Sequence, residues 1–475
     1  MSDSSEKTKK NHKQTEKQLD RIKSSVFMRS LSLAKLTLNT GSKLAGHGLS
    51  TLLTDENDKN EKWQLFLKSQ AETFRSELGE LKGSLMKAGQ MLSMYGEHFL
   101  PPEANELLKT LQSKSPPLKW EAIVPILEKE LGKEKLDLLE IDPESVGAAS
   151  LGQVHKAKIK VTGEWIALKV QYPGVDKAID SDLKAIKSFL SLLKLLPKNL
   201  NMDHVFREVQ EMLVQETNYL LEIEQTERYR DLLKDDSRFV VPKVYREFCA
   251  DKVIATSFEK GIDIDDPLVK SLSQQRKNRL ALNFIDLYFK ELFDWGVVQT
   301  DPHLGNYKIR LSPDGRDQLV LFDFGAVRKY EDSFLFPYYE MIESSLALDT
   351  AALERAAKKL KFVQDDDNPE LKKMFENFCL WTVEPFLSPE DPRAPGKINA
   401  QGEYDWKNSD LPQRLTRLAF QMIQKFELRP PPREILFLDR KTGGVFIFCG
   451  VLGAVINARP LLLRALEKSK SRRSF

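Results

Sequence analysis

The sequence predicts an α+β protein of two lobes with a helical extension at its N-terminus, and three observations carry that expectation. The chain has 475 residues, beyond the size at which one hydrophobic core stops growing. Its apolar residues recur at helical spacing, change to short strand-like runs near Ile141, and return to helical spacing after Gly261. A long helical stretch is inserted within the strand-rich part. With 41% hydrophobic and 30% charged residues, the composition is that of a folded globular protein.

The elements follow in order. Residues 1–25 are polar and lysine-rich with interspersed acids, without the apolar run of a secretory signal or the acid-poor, arginine-rich character of a transit peptide. They read as a solvated tail, and the expected location is cytoplasmic, with peripheral membrane contact reserved for the next segment. There, Val26, Phe27, Leu31, Leu33, Leu36 and Leu38 lie among Arg29, Lys35 and Lys43. This pattern suits an interfacial amphipathic segment and equally a helix docked on the main domain. Residues 54–62 form a charged linker. From Trp63 through Phe66, Leu67, Phe74, Leu78, Leu81, Leu85, Leu92, Tyr95 and Phe99 the spacing predicts one long amphipathic helix, ended by Pro101-Pro102. Lys87 and Gln90 are three apart and off the apolar stripe, so they share a polar face.

A second helix pair is expected over 103–138. Val154, Ala157 and Ile159, then Trp165, Ala167, Leu168 and Val170, read as strands around a turn at Thr162-Gly163. Helices are expected over 176–196 and 203–233, and strand-like structure over 240–258. The remainder is mainly helical, interrupted by a strand–turn–strand unit over 307–324 whose turn is Pro313-Asp314-Gly315. Residues 385–412 read as a long loop. The uncharged stretch 443–456, flanked by Arg440, Lys441 and Arg459, is shorter than the roughly 18 residues a spanning helix needs, so a buried core helix is expected. The implied division is 1–60 tail, 61–138 helical extension, 139–260 N-terminal lobe and 261–475 C-terminal lobe.

Bulk properties exclude some functions. A net charge of +2 gives no electrostatic case for nucleic acid. Cys249, Cys379 and Cys449 are odd in number, far apart and form no C-x-x-C, which argues against a disulfide framework or zinc site and for a reducing compartment. The six histidines have no H-E-x-x-H spacing.

The chemistry-bearing residues concentrate in the lobes. Asp301 and Asn306 stand in a D-x-x-x-x-N spacing, and Asp323-Phe324-Gly325 follows an apolar run. This is the set that phosphoryl transfer from ATP requires. One carboxylate, Asp301, orients the attacking hydroxyl, while an amide oxygen, Asn306, and a second carboxylate, Asp323, hold Mg²⁺ on the phosphates. Upstream, 147–152 has the spacing of a glycine-rich phosphate loop with Ala149 at its middle glycine, so Ala148, Ala149 and Ser150 are the candidate nucleotide-facing residues. A methyl group at that middle position restricts φ and the approach of backbone N–H groups to phosphate. Ile166-Ala167-Leu168-Lys169 follows, the pattern of a strand whose lysine holds the α- and β-phosphates. That lysine needs a helical carboxylate, for which Glu208, Glu211, Glu216 and Glu222 are candidates.

These residues together resemble the UbiB (AarF, coenzyme Q kinase-like) family of atypical kinases. The resemblance rests on Lys87-Ala88-Gly89-Gln90 as a K-x-G-Q signature, the alanine-rich 148–153, Lys169 with 167–174, the 300–306 and 323–325 motifs, and 440–444; it spans roughly 75–465. It implies a bilobal protein-kinase-like fold in which the K-x-G-Q helix covers the place where a protein kinase binds peptide, with Lys87 and Gln90 facing the nucleotide. It also implies ATP binding, ATPase activity, poor protein phosphorylation and support of quinone, isoprenoid or other lipid metabolism at membranes. Glu216 is chosen as the partner of Lys169 because the family's E-x-D reads here as Glu216-Thr217-Asn218; the amide at Asn218 departs from it. The expected catalytic set is thus Asp301, Lys169 and Glu216. The alternatives are a small-molecule kinase and a non-catalytic, nucleotide-gated scaffold.

Overall fold

The computed structural model describes residues 65–66, 69, 83–99, 102–110, 117–148, 151–196, 202–393, 396–426 and 433–473. The expectations for 1–60, including the amphipathic 26–53 segment, and for Ala149 and Ser150 lie outside these residues.

Helix α1 (Ser84–Phe99) starts immediately after Gly83, whose φ of +93° is not helical. The expected single helix from Trp63 to Phe99 is therefore not continuous. A Cβ at Gly83 would lie 2.3 Å from a Val175 methyl, so the chain turns where only glycine fits. Helix α2 (Pro102–Thr110) folds back beside it. Leu85, Ala88, Met91 and Leu92 on α1 pack with Leu107 and Leu108 on α2 and with two later helices, α4 (Val175–Leu192) and α5 (Met202–Glu216), in one apolar cluster. The Ser84 hydroxyl donates to the buried Asp182 carboxylate on α4 at 2.5 Å, fixing the start of α1.

Between α2 and α4 lie helix α3 (Trp120–Leu131) and strands β1 (Leu139–Ala148), β2 (Gly152–Ile159) and β3 (Trp165–Gln171). With β5 (Val253–Ser257) they form an antiparallel sheet in the order β1-β2-β3-β5. Strand alternation decides what faces where. Ile166, Leu168 and Val170 are buried against Ile123, Leu127 and Leu131 of α3. Lys169, between Leu168 and Val170, projects from the other face.

The expected helix over 203–233 is two helices. After α5 the chain breaks at Thr217-Asn218, and α6 (Tyr219–Leu232) begins with the Asn218 side chain accepting from the Leu221 N–H at 3.1 Å. The family's acidic position is thus filled by an N-cap, a role in which Asn and Asp are interchangeable.

The rest of the chain surrounds a larger core. Helix α7 (Gln274–Phe289) runs into a wide π turn (Lys290–Trp295). Gly296 at φ +61° then leads into β6 (Val297–Gln299). Strand β6 pairs with β9 (Val327–Lys329), while β4 (Phe239–Val240), β8 (Gln318–Leu321) and β7 (Tyr307–Arg310) form a second small sheet. Helices α8 (Asp332–Ala347), α9 (Thr350–Lys359), α10 (Pro369–Thr382), α11 (Leu411–Lys425), α12 (Arg433–Leu452) and α13 (Arg459–Arg473) follow, with a short β10–β11 pair between Tyr404–Asp405 and Val455–Ile456. In α12, Val445, Phe446, Phe448 and Cys449 are buried in this core while Ile447 is exposed, so the expected core helix is largely interior up to Leu452, where it ends before the strand at Val455–Ile456. Among the described residues no helix is long and apolar enough to cross a membrane.

Candidate active site

Strand β3 presents Lys169 to α6. Its Nζ lies 2.7 and 2.9 Å from the two carboxylate oxygens of Glu222 and 3.5 Å from Asp323 Oδ2. The expectation that Glu216 holds Lys169 is corrected: the carboxylate that reaches it is Glu222. The break at Thr217-Asn218 is the reason, because it starts a new helix and gives the two glutamates different directions. Burial opposes the charge on Lys169, but Asp323 and Glu222 outweigh it and hold the ammonium protonated. For Glu222 burial comes first and Asp323 adds repulsion; Lys169 offsets only part, so its carboxyl is pushed up to about 7.

Glu216 meets a different cation. Lys87 Nζ is 2.9 Å from Glu216 Oε2 and 3.4 Å from Asp301 Oδ2, so the K-x-G-Q helix reaches the aspartate of the D-x-x-x-x-N loop. Burial disfavours the Lys87 charge, yet Glu216, Asp301 and Asp323 together hold it well above the ordinary lysine value. For Glu216 burial outweighs Lys87 and raises the carboxyl. Gln90, one turn along α1, is half-buried.

Asp301 has a second clamp. Arg440 on α12 places Nη2 2.5 Å from Asp301 Oδ1. Burial would raise the Asp301 carboxyl, but Lys87 and then Arg440 hold it well below the usual carboxylate range. Helix α12 also lies flush on the loop, since a Cβ at Gly444 would fall 2.1 Å from Pro302 Cβ. The sequence marked 440–444 only as part of a resemblance; its contact with Asp301 is 139 residues away along the chain and leaves no local pattern.

The metal-holding expectations fall on Asn306 and Asp323. Asn306 Nδ2 donates to the Asp301 carbonyl at 3.2 Å, which leaves its amide oxygen to accept a cation. Asp323 sits at φ +59°, an unusual backbone state for a residue with a Cβ. Its Oδ1 accepts from the Gly325 N–H at 3.2 Å. An amide oxygen and a carboxylate are the hard donors Mg²⁺ takes when phosphates and water complete its shell, so these residues fit the ion. Among the described residues no group of three His, Cys, Asp or Glu side chains could hold a metal without such help. Ala148 is exposed at the end of β1.

The chain has relatives among known proteins. A model of the ABC1 atypical kinase-like domain matches residues 110–357. The probable serine/threonine-protein kinase abkA of Dictyostelium discoideum is 29% identical over 409 residues, covering 83% of this chain and 70% of that protein. The mitochondrial atypical kinase COQ8B of Danio rerio is 31% identical over 402 residues; the match covers 84% of this chain and 61% of that one, so the chain spans less than two thirds of that relative. The mitochondrial atypical kinase COQ8 of Saccharomyces cerevisiae is 28% identical over 456 residues, covering 94% and 87%. Among solved structures, that of the Rv3197–erythromycin complex from Mycobacterium tuberculosis matches with a TM-score of 0.56 and 24% identity, over 85% of this chain and 97% of that one. It supports a mixed α+β, kinase-like fold. With just over half of its length matched by the domain model, this chain belongs to the ABC1 (UbiB) family of atypical kinases.

Proposed function

We propose that the protein binds Mg-ATP between the β1-β2-β3-β5 sheet and the Asp301 loop and turns it over as an atypical kinase or ATPase. The observation that carries this is the placement of Lys169 between Glu222 and Asp323. An ammonium braced by one carboxylate and adjacent to a metal-holding one is the arrangement that positions the phosphates of a nucleotide. In this reading Lys169 binds the α- and β-phosphates and Glu222 keeps it extended. Asn306 and Asp323 would hold Mg²⁺, which neutralises charge on the phosphates. Ala148, with Ala149 and Ser150 of the same loop, would lie along the phosphates, and Gln90 beside Lys87 at the covered mouth.

The acceptor is proposed to be water or a small hydroxyl compound rather than a protein. Both carboxylate oxygens of Asp301 are engaged, one by Lys87 and one by Arg440. A peptide hydroxyl would have to displace α1 and one of these cations to reach it. The same double engagement favours a second reading, a nucleotide-gated scaffold whose turnover is very slow. Support of quinone, isoprenoid or other lipid chemistry at a membrane surface is carried over from the resemblance and belongs to the proposal.

Mg²⁺-dependent ATP hydrolysis by the full chain, with and without anionic lipid vesicles and beside Asp323→Asn, tests this. Hydrolysis lost in the variant supports the enzyme. Nucleotide binding without single-turnover hydrolysis would replace it with the scaffold.

A further inference from the structure

A chain of buried donors and acceptors beneath the catalytic loop joins α12 to both aspartates. Lys441, next to Arg440, is 1% exposed, with Nζ 3.0 Å from Glu291 Oε2 and 3.4 Å from the Tyr307 hydroxyl. Glu291 lies in the π turn; its Oε1 accepts from the Tyr229 hydroxyl at 2.8 Å and from the Gln299 N–H at 3.2 Å. The Tyr307 hydroxyl donates to Gln299 Oε1 at 3.0 Å. Gln299 Nε2 then donates to two carbonyls, that of Asp301 at 2.9 Å and that of Asp323 at 3.2 Å. All of these side chains are buried.

The network has a direction. An ammonium only donates, so the Tyr307 oxygen accepts from Lys441 and its single proton is left for Gln299 Oε1. That proton fixes which end of the Gln299 amide faces Tyr307 and turns the NH₂ toward the two carbonyls. A flipped amide would set its oxygen against two carbonyl oxygens. One of the carbonyls belongs to Asp323, whose positive φ requires outside support.

We propose that Gln299 is a positioning residue that sets the spacing of the Asp301 and Asp323 main chains, its amide oriented through Tyr307 by the Lys441–Glu291 pair at α12. The proposal rests on the nucleotide reading above. Helix α12 then supports the site twice, through Arg440 on the Asp301 side chain and through Lys441 on the backbone beneath it.

The test uses the full chain, as wild type, Gln299→Glu and Tyr307→Phe, and measures binding of a fluorescent ATP analogue with and without Mg²⁺ across pH. A glutamate carboxylate at neutral pH offers only acceptors to the two carbonyls. The Mg²⁺-dependent gain in affinity is expected to fall about tenfold or more, the usual cost of losing an outer-shell partner of a metal site, while Mg²⁺-free binding through Lys169 is unchanged. Lowering the pH protonates the new side chain and recovers part of the gain, which a packing role would not produce. Tyr307→Phe retains the ring against Phe284 and Phe448, so it guards against a folding failure; it should lose Mg²⁺ response in the same direction without acid recovery. A wild type that binds no nucleotide overturns the functional reading and this inference together. A wild type that responds to Mg²⁺ beside variants with an unchanged response, or with equal losses with and without Mg²⁺, overturns the inference alone.

Discussion

Replacing Lys87 by methionine tests whether the K-x-G-Q helix is held to the Asp301 loop by charge. The side chain is 8% exposed and meets two carboxylates, at 2.9 Å (Glu216) and 3.4 Å (Asp301). At an effective dielectric near 20 these contacts are worth roughly 6 and 5 kcal/mol gross, against which the desolvation of three buried charges must be set. Removing the cation leaves Glu216 buried without its partner, and losses of this type run about 3–5 kcal/mol. Lys87→Met should therefore lower the unfolding free energy by that order in urea titration. Lys87→Met/Glu216→Met should recover much of it, because the orphaned charge goes as well. The coupling between the two positions should be about 1–3 kcal/mol in a double-mutant cycle. The variant also leaves Asp301 with Arg440 alone, so autophosphorylation or hydrolysis should change while Lys169-dependent nucleotide binding persists. Additive losses, with coupling indistinguishable from zero, would refute the ion-pair account of how α1 is seated.

Three further outcomes are expected. The folded Glu222 carboxyl is raised to about 7, above its unfolded value near 4.5, so its contribution to stability is fully present below the unfolded value and is lost as pH rises through 7; Glu222→Gln should flatten the denaturation midpoint between pH 5 and 8, and an unchanged pH profile would contradict this. Gly444→Ala would bring a methyl group 2.1 Å from Pro302 and should cost about 1–3 kcal/mol, with a drop in hydrolysis rate exceeding that in Mg²⁺-free nucleotide affinity; equal stability and rate to wild type would show that α12 does not press on the loop. Asn218→Ala removes the cap that starts α6 and should cost about 1 kcal/mol, whereas Asn218→Asp should be nearly neutral in thermal denaturation; a large loss in Asn218→Asp would mean the site's negative charge, not the cap, governs this position.

Much of the scaffold was legible because its signals are local. The Ile166-Ala167-Leu168-Lys169 pattern put Lys169 on a strand, and the Pro313-Asp314-Gly315 turn marked the unit that pairs as β7 and β8. The long helix from Trp63 misled because glycine within an apolar pattern reads as tolerated, whereas Gly83 is where the chain turns against Val175. The single helix over 203–233 misled because an asparagine in a charged stretch can be solvated face or cap, and only the turn geometry distinguishes them.

By itself the sequence determined which chemical groups the protein possesses and roughly where each lies on an element: a strand lysine, a loop aspartate and asparagine five apart, and a D-F-G aspartate after an apolar run. Only the tertiary structure decided which charges meet. Glu216 and Glu222 are both acidic, six residues apart in one charge-rich stretch, and nothing in their spacing says that one reaches Lys87 and the other Lys169. Arg440 and Lys441 are adjacent, yet the first ends on the Asp301 carboxylate and the second within the buried network under Gln299. Covalent order sets the period of an element and therefore its faces. Partnership across 53 to 214 residues is set by packing, where the cost of burying an unpaired charge selects the one arrangement in which every buried cation finds its carboxylate.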